Sequence, residues 1–95
     1  MFEFLGMIGT YDARKIQRDE LKDFILDTAI VTDRSCRYET AVAHKKFNSG
    51  KWIILEGAST KEEALEIHNK WLEKLKSGVD TLEDCYDGKI YKKRG

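Results

Sequence analysis

The sequence contains no proline and no surplus of charge of either sign. Its 17 lysine and arginine residues are matched by 17 aspartate and glutamate residues, and the balance holds in both halves of the chain. A protein that binds nucleic acid mainly through phosphate contacts carries a basic surplus. The composition therefore argues against this class, although folding can still gather like charges on one surface. The missing proline excludes no function.

Cysteine is scarce as well, and no apolar run is long enough to cross a membrane. Cys36 and Cys85 lie 49 positions apart, and no secretory leader opens the sequence. We therefore expect reduced thiols in a cytosolic setting rather than a disulfide framework. Residues 1–8 are apolar but too short for a membrane span, and Glu3 interrupts them. This run is typical of a strand.

An amphipathic helix over residues 60–77 is the clearest element in the sequence. Ser59 and Thr60 are each followed three positions later by a glutamate, a spacing typical of a capping box at a helix start. Gly78 favours an end after residue 77. The apolar residues recur at helical spacing and form one stripe. The predicted core residues of this stripe are Ala64, His68, Trp71 and Leu75.

Three runs ahead of the helix have the composition of strands. Residues 24–32 are β-prone and almost continuously apolar, which favours a central strand. In residues 38–45 larger and smaller side chains alternate, as on a half-buried strand. Residues 51–56 form the third run. The turn residues 48–50 between the last two runs predict a hairpin loop in which Gly50 is left-handed.

Three further segments carry weaker signals. The charged residues 14–18 favour a short edge strand, with an exposed helix as the alternative. Asp87-Gly88 predicts a small hairpin turn. Residues 92–95 are predicted to be a flexible basic tail.

These elements predict one α+β domain, an antiparallel three- to four-stranded sheet with one long amphipathic helix packed on one face. At 95 residues the chain has room for one modest core, which we place in residues 24–77. If Tyr38, Val42 and His44 face the helix, the opposite side chains face outward and form a partly apolar surface for a partner. This predicted partner-binding set is Glu39, Ala41, Ala43, Lys45 and Ile53.

Histidine and cysteine supply the candidates for a metal or nucleophile site. The residues of suitable type are Cys36, His44, His68 and Cys85. Structural zinc sites usually bring their ligands in close pairs, whereas no two of these lie closer than eight positions. His68 is better explained as a core histidine that is hydrogen-bonded to a strand carbonyl or to a Thr or Tyr hydroxyl. We expect no metal, no cofactor and no enzymatic activity.

Aromatic and basic residues around the predicted hairpin indicate a second type of surface. Together they could bind single-stranded nucleic acid by stacking and phosphate contacts. Aromatic side chains on strands that face a helix are more often part of the core, so this surface is the less favoured interpretation. Its members are Tyr38, Phe47, Trp52, Tyr86 and Tyr91, with Lys45, Lys46 and Lys51.

Two resemblances to known families can be stated on these motifs. GKWIIL at 50–55 followed by STKEEA at 59–64 is similar to the sheet-then-helix layout of the arm-type DNA-binding domain of phage tyrosine recombinases. That resemblance implies DNA binding through the sheet. The strands of this chain lack the dense arginine and lysine of that family, and no catalytic recombinase domain follows.

A longer stretch resembles small uncharacterised proteins of tailed bacteriophages and prophages. The motifs that carry this resemblance are DTA at 27–29, VTD at 31–33, YETAVAH at 38–44, GKW at 50–52, TKEEA at 60–64 and HNKW at 68–71. It implies a viral protein that acts in the host bacterial cytoplasm or in virion assembly, and it implies no activity.

The sequence therefore predicts a small non-enzymatic phage-type protein that binds a protein partner or itself, with no membrane association. It would serve either as a virion or assembly component or as a modulator of a host system. A nucleic-acid-binding accessory protein is one alternative, and a small metal-site or Cys/His enzyme is another.

Overall fold

Four strands follow one another as an antiparallel meander, and one long helix packs across a face of the sheet. The computed structural model describes residues 15–31 and 37–94. Its elements are β1 Lys15–Glu20, β2 Phe24–Ile30, β3 Tyr38–His44, β4 Trp52–Ala58, α1 Lys61–Ser77, β5 Thr81–Glu83 and β6 Ile90–Lys92. The predicted α+β class is confirmed. The strand predicted at residues 1–8 lies outside the described residues.

The sheet order β1-β2-β3-β4 makes β1 an edge strand, as the charged run around residues 15–18 predicts. Alternation along β2 and β3 gives each strand one face toward α1 and one away from it, because successive strand side chains point to opposite faces. Leu26 pairs with Val42, and Val42 pairs with Ile53. All three are fully buried at 0% exposure. This row across three strands forms the centre of the core beneath α1.

Helix α1 begins and ends where its local sequence predicts. The Thr60 hydroxyl accepts a hydrogen bond from the Glu63 N–H at 3.1 Å, while the Glu63 carboxylate accepts one from the Ser59 N–H at 3.0 Å. The helix ends before Gly78, whose φ of +101° favours glycine. The predicted core stripe is confirmed at its buried members Ala64, His68 and Leu75, and Trp71 is half-buried. Among the described residues, no helix has the length and apolarity needed to cross a membrane.

The connection from β3 to β4 is longer than a tight hairpin loop. Residues 45–51 separate the two strands and include a short 3-10 turn at Asn48–Gly50. Gly50 has the predicted positive φ, and Asn48 and Ser49 are left-handed as well.

A β-bulge interrupts the pairing of β3 with β4. Thr40 pairs with Glu56 and Ala41 pairs with Ile54, so Leu55 is the extra residue. The bulge lies within the strands and not at the loop.

The last described residues form a second, two-stranded sheet. Strands β5 and β6 pair through the turn at Gly88, as the Asp87-Gly88 signal predicts. Lys92, where the predicted tail begins, belongs to β6. The backbone N–H of Lys93 then donates to the Asp80 carbonyl at 3.0 Å. The N–H of Arg94 donates to the Lys46 carbonyl at 2.8 Å. Residues 92–94 are therefore held against the body of the domain, which corrects the flexible tail predicted for them.

Candidate functional site

A chain of four polar side chains runs from the edge of the sheet into the core. The Asp19 carboxylate on β1 lies 2.7 Å from Nε2 of His68 on α1. The other ring nitrogen of His68, Nδ1, lies 2.8 Å from the Thr28 hydroxyl, and this hydroxyl lies 2.6 Å from that of Thr40. His68 and Thr28 are 0% exposed, and Thr40 is 2% exposed. Sheet and helix are thus joined by a continuous polar connection through an apolar core.

Donor and acceptor capacities give this chain a direction. An ionised carboxylate only accepts, so Nε2 of His68 carries the hydrogen that it donates to Asp19. In the singly protonated ring Nδ1 then accepts from the Thr28 hydroxyl, and the Thr28 oxygen accepts from Thr40. Every buried polar atom along the chain gains a partner, which buried polar groups require. The prediction of a core histidine bonded to a strand hydroxyl is confirmed.

The carboxylate, imidazole and hydroxyl stand in the order found in nucleophilic triads, yet their burial argues for a structural role. A nucleophile must reach its substrate, and the Thr28 hydroxyl lies at the bottom of the core with both of its neighbours bonded. Only Asp19 reaches solvent, with 33% of its side chain exposed. The hydrogen bond from His68 lowers the pKa of Asp19, with burial opposing this effect and Gln17 adding to it.

A second polar contact fixes the other side of α1. Glu56 on β4 accepts a hydrogen bond from Nε1 of Trp71 at 2.7 Å and one from Nζ of Lys70 at 2.6 Å. Burial raises the pKa of Glu56, but the bonds from Lys70 and Trp71 outweigh it and the pKa lies below its ordinary value. Glu56 and Trp71 also line a cleft of about 410 Å³ with Leu55, Glu83 and Cys85.

His44 lies apart from His68. It lies four positions beyond Thr40 along β3, a distance of about 13 Å at 3.3 Å per residue. Its ring stacks on Phe24 and meets the ring of Phe47 edge-on, and its Nδ1 accepts a hydrogen bond from the Lys46 N–H. Burial lowers the pKa of His44, with nearby Asp23 opposing this effect. The structure therefore does not bring the two histidines together.

The four residues considered as metal ligands do not converge where they are described. Cys85 is exposed on the turn after β5, whereas His44 and His68 are buried in different parts of the core. Cys36 lies outside the described residues. Within residues 15–31 and 37–94, no group of three or more His, Cys, Asp or Glu side chains is placed to hold a metal ion.

The predicted partner-binding set lies on the sheet face opposite α1, with one correction. Ala41 is half-buried, Ala43 is 5% exposed, and Glu39 accepts a hydrogen bond from the Tyr86 hydroxyl. Lys45 is exposed just beyond the end of β3. Ile53 was wrongly placed on this face. The hairpin register pairs it with Val42, which turns its side chain under α1 and leaves it 0% exposed.

One apolar row crosses this opposite face. Ile25 pairs with Ala43, which pairs with Trp52, so a small side chain lies between two large ones. In the next row Ala41 pairs with Ile54 on one side and with the buried carboxylate Asp27 on the other. Arg18 lies 3.8 Å from Asp27, so this ion pair borders the shallow apolar centre of the face.

Sequence reasoning did not include Asp19 or Thr28 in any site. Asp19 is 49 positions from His68, and no local motif links them. The one signal available was Thr28 itself, a polar residue at the centre of the most apolar strand. A hydroxyl buried there requires a partner, and the predicted core histidine is a natural one.

Fold and contacts thus define a small α+β domain with an apolar core through which a buried polar connection runs. No family model matches the chain, and neither a curated protein nor a solved structure matches it.

Proposed function

We propose that this chain is a small phage-type protein that acts by binding another protein or a second copy of itself, and not by catalysis. Its place of action would be the host bacterial cytoplasm or the virion. The motif resemblance supports the phage assignment. The contact surface in this proposal is the sheet face opposite α1, which we call the opposite face and define by Ile25, Ala41, Ala43, Trp52 and Ile54.

The observation that carries the proposal is the composition of the opposite face. The row Ile25, Ala43 and Trp52 continues across three strands in register. Contact surfaces have apolar centres rich in aromatic residues, with polar groups at the rim. Glu39 and Lys45 occupy such rim positions here. A sheet with one face covered by a helix presents its other face as the natural surface for a partner.

The histidine chemistry supports the same conclusion. His68 and Thr28 are committed to a connection between sheet and helix, and both are fully buried. A substrate could approach neither of them without unfolding this region. His68 therefore contributes to the fold of the domain and not to a reaction.

The proposal is tested by the solution mass of the full chain, measured by light scattering, together with pull-down from bacterial lysate. We expect a defined oligomer or one retained protein. Ala41→Arg introduces a charge in the centre of the opposite face and should abolish either result. Ser77→Arg adds the same charge at an exposed helix end and should leave both unchanged. Circular dichroism of both variants shows whether they fold.

Two outcomes would overturn the proposal. One is a monomer that retains no protein from the lysate. The other would come from a chain that lacks residues 1–14. If that chain associates where the full chain is monomeric, the protein covers this face itself. A function based on an external partner at that face would then be excluded.

A further inference from the structure

One end of the domain gathers basic residues that are distant in sequence. The hydrogen bond from the Arg94 N–H to the Lys46 carbonyl places Lys93 and Arg94 beside Lys45 and Lys46. Lys45, Lys46 and Lys93 all act electrostatically on His44, which confirms that they surround one point. All four basic residues are exposed. The even charge balance of the sequence conceals this arrangement.

Two more lysines continue the cluster across a cleft. Lys22 from the β1–β2 turn and Lys76 from the last turn of α1 line a cleft of about 210 Å³, whose wall includes His44 and Leu75. Both lysines are exposed. The basic patch, as we define it, consists of Lys22, Lys45, Lys46, Lys76, Lys93 and Arg94.

The carboxylates at this end of the domain are fewer than the cations, and three of them form an ion pair. Asp23 lies 3.4 Å from Lys45, and Glu73 lies 3.9 Å from Lys76. Glu20 lies 3.7 Å from Arg18, which is not part of the patch. Lys45 and Lys76 in these pairs belong to the patch, and Lys76 also acts electrostatically on Asp19. Asp80 lies nearby, because its carbonyl accepts the bond from the Lys93 N–H. The six cations of the patch therefore exceed the five carboxylates around them by one: Asp19, Glu20, Asp23, Glu73 and Asp80.

The charge that balances the patch lies toward the other end of α1 and in the β5–β6 turn. Glu62 and Glu63 occupy the first turn of the helix, whereas Lys74 and Lys76 occupy the last. Glu83, Asp84 and Asp87 belong to β5 and the turn that follows it. Each of these two regions holds more carboxylates than lysines, since Lys61 and Lys89 are the cations beside them. Charge is thus unevenly distributed over the surface although the net charge of the chain is zero.

We propose that the basic patch binds the phosphodiester backbone of nucleic acid. Its side chains are mostly lysines, which act as mobile point charges and suit a repeating linear anion better than one fixed anion. Phe47, predicted from sequence as a stacking residue, is 1% exposed and belongs to the core. Stacking on this ring is therefore excluded. Binding rests on phosphates, so duplex and single strand bind without sequence preference.

The test is fluorescence anisotropy of the full chain with a labelled 20-base-pair duplex of arbitrary sequence, between 50 and 200 mM salt. Four phosphate contacts predict a loss of affinity of about 100-fold over this range. Lys46→Glu/Lys93→Glu should weaken binding at 50 mM salt at least about tenfold and reduce the salt slope by about two. Lys61→Glu/Lys89→Glu makes the same charge change elsewhere and should alter affinity no more than about threefold.

The outcomes separate this proposal from its rivals. Failure to bind the duplex at 50 mM salt overturns it, and so does an equal loss in both double variants, which would reflect net charge alone. Tighter binding to polyglutamate than to the duplex would indicate an acidic protein partner instead. If the patch variant does not fold, Lys46→Gln/Lys93→Gln replaces it. None of these results depends on the opposite face.

Discussion

The two sides of helix α1 are anchored to the sheet by the same device in two different environments. On one side, Asp19 of edge strand β1 binds His68. On the other, Glu56 of edge strand β4 binds Trp71 and Lys70. His68 is 0% exposed, whereas the side chains of Glu56 and Lys70 are 35% and 48% exposed. We call these the buried anchor and the rim anchor.

Burial decides what each anchor contributes. At the rim, water competes for every polar atom and salt screens the ion pair, so such pairs contribute little. In the core, a polar atom that loses its partner has no water to replace it, and the desolvation cost remains in full. Hydrogen bonds of similar length at the two anchors should therefore contribute differently to the free energy of unfolding. The following substitutions measure the difference.

The largest effect is expected for His68→Ala at the buried anchor. This substitution leaves a cavity under α1 and removes the acceptor of the Thr28 hydroxyl. We expect a loss of about 3–5 kcal/mol in the free energy of unfolding. Urea denaturation measures it, with Glu66→Ala on the exposed helix face as the control. A loss below about 1 kcal/mol would contradict the structural role assigned to the buried anchor.

Thr28→Val should destabilise the domain by about 2 kcal/mol. Valine keeps the shape of the side chain, but Nδ1 of His68 and the Thr40 hydroxyl both lose their partner in the core. The same denaturation experiment measures the change. Thr28→Ser retains the hydroxyl and loses only a methyl group, so it should destabilise the domain less than Thr28→Val does. A larger loss for serine than for valine would show that packing of the methyl group outweighs the hydrogen bonds.

Asp19→Asn should lower the free energy of unfolding by about 1 kcal/mol near neutral pH. The loss is small because Asp19 is the member of the buried anchor that water can reach. The bond from His68 lowers the pKa of Asp19 in the folded state. A carboxyl of this kind stabilises the fold above its unfolded pKa of about 4, and the contribution is lost as the pH falls through the lower folded value. The difference between wild type and variant should therefore shrink as the pH falls below 4. A difference that grows between pH 4 and pH 2 would refute this sign.

The smallest effect is expected for Glu56→Gln at the rim anchor, about 0.5 kcal/mol. The amide oxygen can still accept the bond from Trp71, so the variant removes mainly the charge that faces Lys70. The loss should decrease further between 50 mM and 1 M NaCl. A larger loss than that of Thr28→Val would reverse the ranking of the two anchors.

Local patterns in the sequence predict the elements that depend on neighbouring residues. The cap at Thr60, the end at Gly78 and the buried stripe of α1 all follow from spacings within one helix. The edge position of β1 follows from its charges. Each of these features is decided within a few residues, so a single sequence contains the necessary information.

Features that join distant residues could not be predicted in the same way. The orientation of Ile53 depends on the register across a seven-residue connection, and a shift of one residue turns every side chain to the other face. Asp19 meets His68 only because β1 lies beside β2 beneath the same helix. Arg94 reaches Lys46 only after β5 and β6 have paired, so the basic patch is invisible in the charge count.

The β5–β6 hairpin also closes one edge of the main sheet. The Asp84 carboxylate accepts a hydrogen bond from the Ile54 N–H, and the Cys85 N–H donates to the Ile54 carbonyl. These two bonds use the backbone groups at the middle of the outer edge of β4. A strand from another molecule cannot pair there. Growth of a sheet into a fibre requires two available edges, and among the described strands of the main sheet β1 is then the one with an outer edge left. Strand pairing between copies through the main sheet would therefore stop at two molecules, which makes this sheet self-limiting against fibre formation.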